Sequence, residues 1–483
     1  VLDVDEPVIL RPGETCWRIE RADRFSLIVD AADYFRAAKA AMLAARHSIL
    51  LIGWDFDTRI RFEPDGRSLD GPNRLGGFLK WLSKTRPELK IYVLKWDLGV
   101  ISLLARGSTP LMLLDWMSGG RVKFRLDKHH PTAAAHHQKI AVVDDAVAFC
   151  GGIDMTSSRW DTREHLDRQP YRRRPWGMRY GPWHDAATVV DGPAARALGE
   201  LARQRWERAT GVRLEPPPIG HDVWPAGLLP TVERVEVAIA RTLPEMEDQP
   251  EEREVEALYL AGIAAARRTI YLESQYFASR RIAQALIERL GEPDGPEVVV
   301  VNPKTADGWL EEKTMDAART KLIALVRRHD VHGRFRIYYP VTRKGRPIYV
   351  HAKVMAIDDR LLRVGSSNLN NRSMGFDSEC DLAIEAPPGR GEGERIRDVI
   401  RRVRDDLLAE HLGVEASRVA AAFQEKGSLI GAIEGLLGGG RSLRAVSPDP
   451  VDAIGEIFAE TDLVDPERPP KLWRQLLRRR SLA

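Results

Sequence analysis

Apolar positions along this chain fall into two alternating patterns. Short continuous or period-two runs rich in Val, Ile and Leu mark strands, and longer stretches with helical spacing mark helices between them. In the first half the pattern predicts strands over residues 18–29, 48–52, 90–95, 122–126 and 188–190. Helices are predicted between them at residues 31–46, about 75–85, about 111–117 and 194–208, the last ending at Thr210-Gly211. The second half repeats the order, with strands at 235–240, 269–273, 298–301, 334–339 and 380–385, and helices at 251–266, 283–290 and 310–327. Strands alternating with helices predict an α/β fold of two similar α/β/α sandwich halves, each sheet covered by helices on both faces. The expected organisation is a first half over residues 1–215, a Pro-rich linker over 216–230, a second half over 231–412 and an extension over 413–483. A charged helix is expected at 396–412. The arginine-bearing tail at 472–482 reads as a solvated helix packed by its leucines rather than as a membrane contact.

One stretch occurs twice. His137-Gln138-Lys139 leads through an apolar run to Asp144-Asp145 and on to Gly151-Gly152-Ile153-Asp154, and about 214 residues later His351-Ala352-Lys353 leads to Asp358-Asp359 and Gly365-Ser366-Ser367-Asn368. A spacing this long suits two fused copies of one domain, not a solenoid repeat. Each copy reads as strand, tight turn, strand. Residues two apart share a strand face, so His137 points with Lys139 and His351 with Lys353. Asp144 and Asp358 have the opposite parity and stand at the turn, which predicts a structural role holding the turn or a neighbouring strand. Folding each hairpin back sets Gly151, Gly152 and Asp154 beside the first His-Lys pair, and Gly365, Ser366 and Asn368 beside the second. Each half thus offers an imidazole, an ammonium and close backbone approach, which together make half of an anion site.

Composition narrows the field without naming a chemistry. The length of 483 residues allows two or three domains, and 43% hydrophobic with 30% charged residues is ordinary for a globular protein. A net charge of +3 supplies no global field that demands nucleic acid or an anionic membrane. Three scattered cysteines, Cys16, Cys150 and Cys380, are too few for a disulfide framework or a zinc site and read as inert buried thiols. His129-His130 and His136-His137 lack Cys or carboxylate at ligand spacing, so no metal is expected there. No run approaches a membrane span. The acidic start has no signal-peptide pattern, although the absence of an initial Met leaves room for a removed leader.

The doubled H-x-K-x4-D pattern, followed each time by G-G-x-D or G-S-x-N, resembles the phospholipase D superfamily. Arg159-Trp160-Asp161, Trp183-His184-Asp185, the run from Ile270 to Phe277, and Arg372-Ser373-Met374 ahead of Asp377-Ser378-Glu379 are similar to its eukaryotic-type branch. The likeness covers roughly residues 45 to 385. The segment between Met374 and Asp377 is shorter than that branch usually has, which bears on head-group choice.

The resemblance implies His137 as nucleophile and His351 as general acid/base. It also implies Asp185 and Glu379 as the carboxylates that orient them. A phosphodiester needs a nucleophile, an acid for the leaving oxygen and positive groups on the non-bridging oxygens, and two His-Lys pairs around one phosphorus supply all of these without metal or cofactor. Lys139 and Lys353 would stabilise the pentacoordinate state. Asn368 can donate to a phosphate oxygen, whereas an ionised Asp154 can only accept. Gly151, Gly152, Asp154, Ser366 and Asn368 form the expected phosphate surroundings. The loop 168–180 interleaves arginines with aromatics, and Arg172, Arg173 and Trp176 are its expected substrate contacts. The expected partners are a phospholipid on a membrane surface and a water or small-alcohol acceptor. No nucleic acid is expected, and the protein is expected to be a monomer, cytoplasmic or peripheral to a membrane, unless a processed form is secreted. Cardiolipin synthase-like transfer, nuclease activity and an inert lipid-binding module are the competing readings of the superfamily pattern.

Overall fold

The computed structural model describes residues 7–97, 121–218, 220–305 and 309–447. The helix expected at 111–117, the acidic first six residues and the basic tail lie outside the described residues. The chain forms two compact units, an amino-terminal one of Ile19–His129 with His136–Val237 and a carboxy-terminal one of Val1–Arg18, His130–Ala135 and Ala238–Ala483.

The amino-terminal unit is built on strands β1 (Arg18–Val29), β2 (Ser48–Gly53), β3 (Lys90–Trp96), β4 (Val122–Asp127), β5 (Ile140–Val143), β6 (Val147–Gly151) and β7 (Ala186–Asp191). Their order is β1-β7-β6-β5-β2-β3-β4. Strands β2, β3 and β4 run parallel, and β5 meets β2 antiparallel with Ile52 opposite Ile140. Every residue of β2 is buried, as expected of a strand covered on both faces. Helices α1 (Ala31–Ala44), α2 (Leu75–Thr85) and α3 (Gly192–Thr210) complete the unit. Tyr34, Phe35 and Met42 of α1 and Phe78 and Leu82 of α2 join β2 and β3 in one core. α3 starts with a proline in its first turn and stops at Gly211, whose φ of 69° suits glycine and closes the helix by an N–H to the Glu207 carbonyl.

The carboxy-terminal unit repeats that plan. Its strands are β8 (Val232–Leu243, from Ala238 on), β9 (Thr269–Glu273), β10 (Glu297–Val301), β11 (Phe335–Val341), β12 (Val354–Ile357), β13 (Leu361–Gly365), β14 (Glu379–Glu385) and β15 (Ser442–Ala445). They lie in the order β8-β14-β13-β12-β9-β10-β11-β15. The hairpin β12–β13 therefore occupies the same place as β5–β6, beside the first strand of a parallel run. Helices α4 (Glu254–Ala265), α5 (Arg280–Gly291), α6 (Trp309–His329), α7 (Asn371–Gly375) and α8 (Glu392–Leu412) follow the chain between and after these strands.

Two boundaries differ from those read off the sequence. The Pro-rich stretch 216–230 is not a free joint. Val223 is buried in the amino-terminal core, Arg24 of β1 donates to Asp222 at 2.7 Å, and Ser26 donates to the Leu229 carbonyl at 3.1 Å. The units divide later, at Val237 and Ala238. Nor is the region after residue 412 a separate extension: α9 (Ala416–Lys426), α10 (Leu429–Leu436) and edge strand β15 belong to the carboxy-terminal unit. Ser428 caps α10 through the Gly431 N–H, and Glu297 of β10 accepts the N–H groups of Leu429 and Ile430. A Ser ahead of an apolar run is a readable start signal, but the glycines after it suggest a loop.

Both hairpins are fastened by their turn aspartates. Asp144, at a φ of 53°, accepts the N–H groups of Arg46, His47 and Ser48 at 2.6, 2.8 and 2.6 Å where the chain enters β2. Asp358, also at 53°, accepts those of Arg267, Arg268 and Thr269 at 2.9, 2.8 and 2.7 Å where it enters β9. Each carboxylate thus satisfies three backbone donors at once and fixes the hairpin against its neighbour. Asp144 is only 2% exposed and also faces His221 at 3.0 Å, whereas two of the three donors around Asp358, the N–H groups of Arg267 and Arg268, are open to rehydration. Asp144→Ala is therefore expected to cost about 2–4 kcal/mol and Asp358→Ala about 1–2 kcal/mol in urea unfolding, since buried unmade hydrogen bonds cost more than solvated ones.

Candidate active site

The first half-site grows out of β5 and β6. Ile140 pairs with Cys150 in the hairpin, and continuing that register puts Lys139 opposite Gly151. Lys139 is 3% exposed. Its ammonium donates to the carbonyl of His137 at 2.8 Å and meets Asp154 at 3.3 Å. Asp154 was grouped by sequence with the phosphate contacts, but the geometry makes it the counter-ion of Lys139. Its other oxygen accepts the Trp54 N–H at 3.1 Å. Gly151 is needed for packing, because a Cβ there would lie 2.4 Å from the Cα of Ala187 on β7. The Gly152 N–H is already used, donating to the Ala186 carbonyl at 2.9 Å.

Beside it stands Asp55, buried at the end of β2. Burial pushes its carboxyl up, but Lys95 at 2.5 Å and the Thr156 hydroxyl at 2.6 Å outweigh that and hold it below the usual range. Asp127, at the end of β4, is likewise pushed up by burial and pulled well below its ordinary value by Arg205 and His136.

Asp185 is fully buried at the start of β7, where its N–H donates to Asp30 Oδ1 at 3.0 Å and its carbonyl accepts the Asp30 N–H at 2.8 Å. Asp30, a residue the sequence did not single out, holds a positive φ of 67° and anchors this corner. His165 lies 3.3 Å from one of its oxygens and His184 lies 3.4 Å from the other. Asp161 completes the network, accepting from His165 at 2.9 Å, from Arg172 at 2.9 Å and from the Trp183 N–H at 3.0 Å. The four-residue spacing of Asp161 and His165 was a signal available in the sequence. Asp30, His165 and His184 bring ligand-capable atoms within 4.8 Å of one another, a donor set of two nitrogens and a carboxylate that could take a divalent transition metal. Each imidazole already faces Asp30 through a ring nitrogen.

Arg172 corrects the reading of the loop. It is 2% exposed, bound to Asp161 and to the Leu166 carbonyl, and so clamps the loop instead of reaching for substrate. Arg173 and Trp176 remain exposed on the same loop.

The second half-site follows the same rule from β12 and β13. Val354 pairs with Val364, so Lys353 stands opposite Gly365, whose N–H donates to the Lys353 carbonyl at 3.1 Å. Lys353 is fully buried, and its ammonium donates to the carbonyl of His351 and reaches Gln275 Oε1 at 3.5 Å. Gln275 belongs to the run Ile270–Phe277 that is similar to the eukaryotic-type branch. Glu379 accepts from the hydroxyls of Ser366 and, at 2.7 Å, Ser373, while the Ser366 N–H goes to Asp381 at 2.9 Å. Asp381 also forms a fully buried ion pair with Arg363. A Cβ on Gly365 would fall 1.9 Å from an Asp381 oxygen, which explains the glycine. Asn368 is 4% exposed, and its buried Oδ1 has no hydrogen-bond partner among the described residues. The three cysteines are buried free thiols, and burial with nearby Glu254 pushes Cys16 up to about 12.

Comparison with known proteins agrees with this geometry. A phospholipase D family model matches residues 119–283, and a model described as cardiolipin synthase, PLD-like domain, matches residues 259–400, so each takes in one His-Lys hairpin. The chain is 26% identical over 442 residues to phospholipase D A of Dictyostelium discoideum, covering 76% of this chain and 33% of the relative. It is 24% identical over 519 residues to phospholipase D alpha 2 of Arabidopsis thaliana, covering 77% of this chain and 63% of the relative. It therefore spans less than two thirds of the length of these relatives. In fold it is similar to the phosphatidylserine synthase of Haemophilus influenzae, with a TM-score of 0.51 at 13% identity over 78% of this chain and 86% of that one. The repeated hairpin in a duplicated α/β plan defines the class, and the chain belongs to the phospholipase D superfamily.

The lowered carboxyls set an acid limit. A group whose folded pKa is depressed contributes stability above its unfolded pKa of about 4, and that contribution fades as pH falls towards the folded value. Unfolding free energy is therefore expected to drop below about pH 4, with a shallower drop in Asp127→Asn, as read by urea titrations at stepped pH.

Proposed function

We propose that the protein is a phospholipase D: it hydrolyses the distal phosphodiester of a phosphatidylcholine-type lipid to phosphatidic acid and a free alcohol, and transfers the phosphatidyl group to small alcohols that outcompete water. The observation that carries this reading is that each unit holds a buried lysine whose ammonium is pinned on the carbonyl of the histidine two residues earlier. A phosphoryl transfer needs one imidazole to attack and another to protonate the leaving oxygen, and neither unit alone has both in its motif.

In this mechanism neutral His137 attacks phosphorus and His351, protonated, gives its proton to the departing alcohol. The phosphohistidine formed on His137 is then attacked by water or an acceptor alcohol, from which His351 takes a proton, and the P–N bond breaks to restore both imidazoles. Lys139, Lys353 and the Asn368 amide face the charge on the non-bridging oxygens. Asp185 and Glu379 orient the imidazoles. Both carboxylates are fully buried and held by hydrogen bonds, Asp185 accepting the Ala186 N–H and Glu379 the hydroxyls of Ser366 and Ser373.

The cardiolipin synthase-like family match over the second hairpin supports a second reading, in which the acceptor is a lipid alcohol. No helix of the described residues is long and apolar enough to cross a membrane, so the lipid would be met at a surface.

Incubation with phosphatidylcholine and ethanol is expected to yield phosphatidylethanol. DNA cleavage without lipid turnover would overturn the assignment. His137→Asn and His351→Asn are each expected to abolish turnover with the fold intact by circular dichroism. Lys139→Met and Lys353→Met should each lower kcat on the order of 100- to 1000-fold.

A further inference from the structure

Behind the first motif lies a buried polar cluster that the proposed reaction does not use. Asp127 at the end of β4 and Arg205 of α3 are both buried. Oδ2 of Asp127 accepts from Arg205 Nη2 at 2.6 Å and from its Nε at 3.2 Å. Oδ1 accepts the His129 N–H at 3.0 Å and faces Nε2 of His136 at 3.2 Å. The same His136 nitrogen lies 3.1 Å from the His129 carbonyl, which can only accept, so Nε2 carries the proton. Arg205 also reaches past Asp127 and donates through Nη1 to Oε1 of Gln138 at 2.5 Å.

The cluster is itself fixed to the sheet. Trp206, next to Arg205, packs edge-on against Tyr92 of β3 with ring centres 5.0 Å apart, and the Asp127 carbonyl accepts the Asp97 N–H at 3.1 Å. What it holds is the chain on either side of one residue, because His136 and Gln138 are the neighbours of His137. Both are buried. The His137 carbonyl between them takes the Lys139 ammonium at 2.8 Å.

The second motif is flanked differently. Val350 and Ala352 stand on either side of His351, both fully buried and without a polar side-chain atom. Apolar packing accommodates small shifts, whereas a buried network with its hydrogen bonds made specifies one arrangement. That distinction matters for a nucleophile, since a misplacement of about 1 Å can cost on the order of 100-fold in rate.

Given the reading of His137 as the attacking group in the reaction proposed above, we infer that Arg205 and Gln138 are positioning residues for the first motif. The Asp127–Arg205 pair grips His136 and Gln138, and so fixes the main chain of His137 together with the lysine ammonium bound to its carbonyl.

Gln138→Leu in the full chain tests this, because it nearly keeps the side-chain volume and leaves the Asp127–Arg205 pair in place. Hydrogen exchange read by mass spectrometry is expected to quicken roughly tenfold ahead of β5, in residues 136–139, and to stay unchanged in residues 350–353. On phosphatidylcholine, kcat is expected to fall roughly 10- to 100-fold with KM within about twofold of the wild type. Arg205→Lys keeps a cation beside Asp127 but lacks the fork that reaches Gln138 as well, and is expected to lose kcat to a similar extent. A merely structural role predicts a lower melting temperature at unchanged kcat per folded molecule, and that result in either variant would overturn the proposal. Unchanged exchange at 136–139 would overturn it too. A wild type that turns over no phospholipid would count against the proposed reaction instead, and the exchange comparison would still decide whether the cluster holds the segment.

Discussion

A buried lysine ammonium must find oxygen atoms, and most of what surrounds each motif follows from that requirement. Lys139 and Lys353 are almost without solvent, so a charge of this size would be driven neutral or outward unless its protons were taken. Each unit solves the problem with the nearest available acceptor, the carbonyl of the histidine two residues back. That contact joins the fate of the two side chains. The glycine opposite each lysine lets the next strand pack close, Gly151 against Ala187 and Gly365 against Asp381.

The copies share this device and differ in what supports it. Lys139 meets the carboxylate of Asp154, while Lys353 reaches the amide of Gln275. Gly151 lies against Ala187, but Gly365 lies against Asp381, which is itself paired with Arg363 and takes the Ser366 and Ser367 N–H groups. Such asymmetry is what a duplicated site needs if its two imidazoles are to hold different protonation states, since environment sets which one is charged. The turn aspartates have stayed alike, because their task is mechanical: three backbone donors at the start of a strand are the same problem in either copy.

Much of this was legible along the chain. Apolar periodicity located the strands of both units, and the doubled spacing marked each histidine whose carbonyl takes the lysine ammonium two residues on. The opposite parity of Asp144 and Asp358 was also visible, although not that each would take three N–H groups from a segment far earlier in the chain, 96 residues away at Ser48 and 89 at Thr269. The loop 168–180 shows the limit. Its arginines are indistinguishable by composition, yet Arg172 is buried on Asp161 and Arg173 is exposed, because only the first points inward when the loop folds. Asp30 could not have been chosen either, being a single polar residue at a strand end with no pattern around it, and within the run from Ile270 to Phe277 nothing marks Gln275 as the one that meets Lys353.

The sequence by itself determined the duplication, the α/β class and the two-residue spacing of each histidine and lysine, since these depend on local period and on a repeat that needs no coordinates. Tertiary structure decided which carboxylates face a cation, which arginines are buried and where the Pro-rich stretch attaches. Those outcomes depend on partners far apart in the chain, and no local pattern records the distance between two residues that meet only after folding.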